Sequence, residues 1–210
     1  MISNPSRATS APEAASDSGA DVRRAILCAA HKRFERYGFA KTTMAEIASD
    51  CGMSAANLYR YFASKDDIIA TGAQDWLTGV DQEIAAIAED RHAGAGERLH
   101  RIVRTKMRLI AALITGNPHL DELVEHVCRE RLDLLQSHRA LLHRHIARVI
   151  DDGVAEGAFA PGDSLALAES FEMATRLFCQ NSIVREGEPA KLEGSAAAVV
   201  DLLISGLAHR

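Results

Sequence analysis

Asn57 carries an amide that can donate and accept side by side, the pairing that an adenine edge offers in the major groove of DNA. Ala55 and Ala56 precede it, and their methyls suit thymine methyl groups. Tyr59, Arg60 and Tyr61 follow, with hydroxyls and a guanidinium that suit phosphate oxygens. Thr43 and Lys65 stand where helices are expected to begin, and helix N-termini favour phosphate. The cluster points to double-stranded DNA as a partner. Each member also has a plainer use. Thr43 caps a helix in any case, Tyr59 can serve as core, and Lys65 can be a solvated charge.

Catalytic patterns do not occur. There is no Ser/His/Asp or Cys/His spacing, no Gly-rich phosphate loop and no paired-carboxylate motif, so neither an enzyme nor a cofactor is expected. His119, Glu122 and His126 share one helix face at i, i+3 and i+7, a spacing that can hold a metal. An exposed polar face is the preferred reading, and no metal is expected. Cys28, Cys51, Cys128 and Cys179 are widely spaced in apolar-periodic segments and read as buried small hydrophobes in a reducing compartment.

Helical periodicity is nearly continuous from Asp21 onward, without strand-type alternation, which predicts an all-α fold. Residues 1–20 read as a flexible tail rich in Ser, Ala and Pro. A first helix is expected over Asp21 to Tyr37, with Val22, Ile26, Ala30 and Phe34 as its stripe and Gly38 as its stop. Thr43-Met-Ala-Glu46 forms a capping box for a second helix that closes at Cys51-Gly52. Ser54 caps a short third helix ending near Tyr61, with Leu58 and Phe62 in the core. Ser64 opens a fourth, to about Asp90, whose inner stripe is Ile69, Ala73, Trp76, Val80, Ile84 and Ile87. A fifth is expected over Glu97 to Thr115, before the stop Gly116-Asn117-Pro118. Between Pro118 and Asp152 the pattern fits one helix or two joined between His126 and His138, ended by Gly153 and Gly157. Two more are expected over Asp163 to Arg185 and Pro189 to Ala208.

The second and third helices, joined by a tight turn at Gly52, form a helix-turn-helix unit. Charge follows the same division. Residues 1–65 hold nine Lys/Arg and six Asp/Glu, a net of +3, while residues 66–210 hold fifteen and twenty-three, a net of −8. A basic head on an acidic body suits a head that meets phosphates. The domains are therefore expected as tail 1–20, DNA-binding head 21–65 and body 66–210.

A longer string surrounds the unit: Gly38-Phe39, Thr42-Thr43-Met44-Ala45-Glu46-Ile47-Ala48, Cys51-Gly52-Met53-Ser54, Leu58-Tyr59-Arg60-Tyr61-Phe62 and Ser64-Lys65. Over about residues 22–70 it resembles the head of the tetracycline-repressor (TetR) family. The resemblance implies DNA contacts from Thr43, the 55–57 tip, Tyr59, Tyr61 and Lys65. The turn reads Cys-Gly-Met-Ser-Ala-Ala-Asn where many members have Ala-Gly-Val-Ser-x-Gly-Thr. Ala56 and Asn57 thus alter the reading surface and leave the operator sequence open.

The resemblance also implies a small-molecule inducer held among the helices after residue 66 and a homodimer built on the last two helices. Apolar faces support the dimer: Phe171, Ala174, Leu177 and Phe178 on one helix, Ala197, Val200, Leu203 and Leu207 on the other. Candidate pocket residues are Trp76, Met107, His126, Met173, Arg176 and Gln180, polar or soft side chains on apolar helices. Arg176 reads as half of a salt bridge in preference to an anion anchor. The expectation is a cytoplasmic, ligand-responsive regulator that does not enter membranes, most naturally a repressor. The alternative is a helical small-molecule-binding or interaction protein whose head no longer reads DNA.

Overall fold

A computed structural model describes residues 14–114 and 117–208, and no strand occurs among them. Thr115, the expected end of the fifth helix, Gly116 of the expected stop Gly116-Asn117-Pro118 and the first thirteen residues of the expected tail lie outside the described residues. Helix α1 (Ala14–Tyr37) starts seven residues before the expected position at Asp21, so residues 14–20 are helix where tail was expected. Ala14, Ala15 and Ala20 are strong helix formers, and no Pro or β-branched residue interrupts this stretch.

Helix α1 ends where Gly38 takes φ 82°, a conformation open to glycine at little cost. The His119 ring lies against this glycine, so that a Cβ there would meet Nδ1 at 3.0 Å. Helix α2 (Met44–Asp50) carries the full capping box, with the Thr43 hydroxyl accepting from the Glu46 N–H and the Thr43 N–H donating to Glu46 Oε2. Gly52, at φ 65°, makes the turn to α3 (Ala55–Leu58). Ile26, Ala30, Phe34, Met44, Ile47, Ala48, Leu58 and Phe62 close into one core.

Helix α4 (Lys65–Glu89) belongs to two cores. Its first turns give Ile68 and Ile69 to the head, and its later turns give Val80, Ile84 and Ile87 to the body. Helices α5 (Ala95–Ile114), α6 (Pro118–Glu130) and α7 (Leu132–Ala155) follow. The α6–α7 junction falls at Arg131, within the expected interval. Helix α6 also returns to the head. Val127 enters the head core, and the Asn117 side-chain amide donates to the Glu35 carbonyl of α1 at 3.3 Å.

Gly153 does not end α7, which continues to Ala155. Phe159 folds back onto this glycine so closely that a Cβ would lie 2.2 Å from the ring. The glycine serves packing, and Gly157, at φ 75°, makes the turn. The single helix expected over 163–185 is broken in three: α8 (Ser164–Thr175), a 3₁₀ turn (Arg176–Cys179) and α9 (Asn181–Glu186). The Thr175 hydroxyl bonds back to the Phe171 and Glu172 carbonyls, and Gln180 is extended at ψ 133°. No Gly or Pro marks this break. Helix α10 (Pro189–Ala208) is the last element among the described residues.

Inside the body, Arg98 is fully buried. Its guanidinium donates to the Ala88 carbonyl at 2.9 Å and to Asp152 at 2.8 Å, locking α4, α5 and α7 together. Among the described residues no helix is long and apolar enough to cross a membrane.

Candidate nucleic-acid interface and ligand cavity

Helix α3 is short because Ser54 caps its start and the chain unwinds into turns after Leu58. Buried Leu58 fixes the inner side. Ala56, Tyr59 and Arg60 are exposed, while Ala55, Asn57 and Tyr61 are half-buried. The Asn57 backbone N–H is taken by Ser54, but its side-chain amide meets only the Met53 sulfur, at 3.9 Å. That weak contact leaves the amide able to face a base edge. Tyr59 is 54% exposed and therefore not core, whereas Tyr61 packs against the head core.

Lys65 is more than a solvated charge. Its ammonium donates to the Phe39 carbonyl at 2.8 Å and lies 4.3 Å from the centre of the Phe39 ring. It ties the start of α4 to the turn after α1. Two arginines not anticipated from sequence brace the same unit. Arg23 donates to the Tyr61 carbonyl at 2.6 Å, steadying the exit of α3, and Arg33 joins α1 to Asp50 on α2. Hydrogen bonding to Arg33 holds the Asp50 carboxyl below its ordinary pKa despite partial desolvation.

A cavity of about 600 Å³ opens between head and body. Phe34, Ile68, Ile69 and Val127 border it and also belong to the head core, so one set of side chains serves both. Trp76 and Arg176 are the two expected pocket residues that line this cavity. The other four lie elsewhere. Met107 faces a separate cleft between α5 and α10. His126 bonds Asp66 at 2.9 Å and packs on Phe39, bridging α6 to the head. Met173 points outward, 68% exposed, and Gln180 is exposed at the break before α9. Helical periodicity places a residue on a face but does not say which neighbour that face meets.

Where α5, α7 and α8 approach one another, the cavity turns polar, with Lys106, His138, Glu172 and Arg176 in its wall. Arg176 grips both oxygens of Glu172, at 3.1 and 2.6 Å. Burial pushes the Glu172 carboxyl up, but Arg176 and Lys106 outweigh it, and the pKa ends below the ordinary value. Burial lowers the pKa of His138, and Lys106 adds to this against the pull of Asp81, so the ring is neutral near pH 7. Lys106 escaped the sequence reading, though Val103, Lys106, Ile110 and Leu113 fall on one helical face at i, i+3, i+7 and i+10. A lysine in an apolar stripe was the available signal.

Cys28 and Cys128 are exposed and border the cavity, contrary to the expectation that all four cysteines are buried. Cys51 and Cys179 are half-buried, and burial raises both thiol pKa values. Among the described residues no three His, Cys, Asp or Glu side chains are grouped to hold a metal.

The expected dimer residues divide. Phe171, Phe178, Val200 and Leu207 are buried in the body core of a single chain and turn inward, where an outward dimer face was expected. Leu203 is half-buried against that core, and Ala174 is exposed. The inner faces of α8 and α10 are thus already used. Leu165, Met173, Leu177 and Leu202 remain uncovered on the outer side of these segments.

Two family models match the chain: "Bacterial regulatory proteins, tetR family" over residues 26–71 and "Tetracyclin repressor-like, C-terminal domain" over residues 95–200. An uncharacterized HTH-type transcriptional regulator of Bacillus subtilis, YfiR, is 29% identical over 184 residues, 84% of this chain and 87% of that protein. The HTH-type transcriptional repressor KstR2 of Mycobacterium tuberculosis is 25% identical over 156 residues, 71% of this chain and 74% of its own. Among solved structures, a TetR-family transcriptional regulator from Pectobacterium atrosepticum superposes with a TM-score of 0.68 at 20% identity, covering 92% of this chain and 97% of that one.

Proposed function

Since this chain belongs to the TetR family of transcriptional regulators, which are not enzymes, we propose that it is a repressor that binds a roughly palindromic operator as a homodimer and is released by a small molecule entering the cavity. In this reading residues 21–65 form the head that meets DNA and residues 66–210 the body that senses and dimerises. The observation that carries it is the shared wall: Phe34, Ile68, Ile69 and Val127 are packed into the head core and exposed to the cavity at once. A ligand pressing on that wall has a differential interaction with two arrangements of the head, which a population shift requires.

The proposed reading residues are Ala55, Ala56 and Asn57 at the tip of α3, with Thr43, Tyr59, Arg60, Tyr61 and Lys65 on the phosphates. The dimer contact is proposed for the outer side of α8, the 3₁₀ turn and α10, with Met173, Leu177 and Leu202 added to Ala174 and Leu203. Selection from a random pool of duplexes at physiological salt tests the core of the proposal. Enrichment of a palindrome with half-sites about 34–36 Å apart, or a multiple of that, is the expected result. Enrichment of no sequence would mean a helical binding protein whose head does not read DNA.

A further inference from the structure

The cavity wall is mostly apolar along α1, α4 and α6, where His31 and Asp75 are its polar members, and polar where Lys106, His138, Glu172 and Arg176 meet. The charges at this end are unevenly matched. Glu172 is committed to Arg176 through two hydrogen bonds. The Lys106 side chain is only 12% exposed, and among the described residues Glu172 is its one carboxylate within ion-pair range, at 3.9 Å. That distance is too long for a hydrogen bond, so an ammonium with three donors faces, without bonding, an oxygen that accepts from Arg176. His138, held neutral, adds no positive charge there, whereas Arg139, the next residue of α7 and also in the wall, does. An ammonium on a side chain so little exposed, and facing a mostly apolar cavity, gains from a close partner. From this end the wall runs to Leu27 and Phe34 of α1 with predominantly apolar surface.

We propose that the cavity binds an amphiphilic anion, an extended apolar chain ending in one carboxylate, with Lys106 as the partner of the carboxylate and the chain lying toward Leu27 and Phe34. The assignment rests on the sensing role proposed for the cavity and adds the chemical class of what is sensed. The carboxylate gains a charge-assisted bond in a water-poor site, while the chain buries apolar area against the head. A free carboxylate bonded to Lys106 leaves the Glu172–Arg176 pair intact.

Dodecanoate and dodecanol share a chain and differ in the head, which makes them the probes. Binding to the full-length protein is followed by calorimetry and by Trp76 emission, below the concentration at which micelles form. Dodecanoate should bind saturably and about tenfold or more tightly than dodecanol. Lys106→Met should bring the acid to the level of the alcohol without moving the alcohol, and Lys106→Arg should keep the preference. Butyrate, a head without the chain, should bind far more weakly than dodecanoate. Absence of dodecanoate binding, equal affinity of acid and alcohol, or an unchanged preference in Lys106→Met would each overturn the proposal. Should Lys106→Met fail to fold, the comparison of probes on the unmodified protein and on Lys106→Arg decides. Release of the selected operator is read separately, by anisotropy. Carboxylate-selective binding with DNA still bound supports this site and removes induction. Release by uncharged compounds, with no preference for the acid, removes this site and leaves induction standing.

Discussion

Two side chains show how differently single residues can be read. Asn57 stands at the tip of α3 with its amide held only by a 3.9 Å contact to the Met53 sulfur. Asn57→Ala therefore costs the fold little, and it should relax operator preference by about 1–3 kcal/mol if the amide pairs with an adenine. Binding to the selected operator and to single-base variants measures this, and an unchanged preference would move the reading residue elsewhere. Asn57 could be singled out from sequence because its role depends on a local motif. Arg98 could not, because its partners come from distant parts of the chain. Burial raises the pKa of Asp152, but Arg98 and Arg91 outweigh it and leave the carboxyl below its ordinary value. A carboxyl depressed in the folded state contributes stability above its unfolded pKa, about 3.9, and that stability is lost as pH falls through the folded value. Arg98→Ala leaves Asp152 with Arg91 alone. It should cost about 3 kcal/mol at neutral pH and lose less on acidification than the parent, as seen in denaturant titrations at several pH values.

At the scale of elements, what was legible is what local chemistry decides. The Thr43 and Ser54 caps, the Gly38 and Gly52 turns and the stripe of Ile26, Ala30 and Phe34 define the head from its own residues. The breaks after Thr175 and at Arg131 carry no Gly or Pro, and Gly153 imitates a stop while serving Phe159. Those features depend on packing between segments that are far apart in sequence. The same limit explains why Trp76 and Arg176 reach the cavity while Met107, His126, Met173 and Gln180 do not. Helix α4 is the element on which the proposed coupling rests. It starts under Lys65, which is tied to Phe39, passes the cavity at Trp76, and ends in the body core. A tilt of this helix moves the head, and Trp76, the chain's single tryptophan, reports it. For any ligand that releases the operator, Trp76 emission should change over the same concentration range as release. Full release with unchanged emission would exclude α4 as the lever.

For the whole molecule, the question the proposed dimer raises is how its two heads would be spaced for one operator. A single chain buries Phe171, Phe178, Val200 and Leu207 in its own body core. The outer side of the same segments keeps Met173, Leu177 and Leu202 in water, and Leu202 is 72% exposed. Exposed apolar side chains on such neighbouring segments suit an association surface. An isologous contact there would place each chain's α8 and α10 against the partner's, the arrangement of a two-fold dimer. The two kinds of position separate in their response to charge. Leu202→Glu places a carboxylate on a surface already wet in the monomer, so the chain should fold with little loss of stability. In a dimer the same carboxylate would be buried without a partner, a cost that abolishes association at micromolar concentration. Val200→Glu, two residues away on the opposite, buried face of α10, should instead unfold the chain itself. Sedimentation of Leu202→Glu should show a folded monomer. Its affinity for the palindrome should fall to that of a single half-site, because the second head is no longer tethered to the first. A Leu202→Glu variant that sediments as a dimer would place the interface off α10.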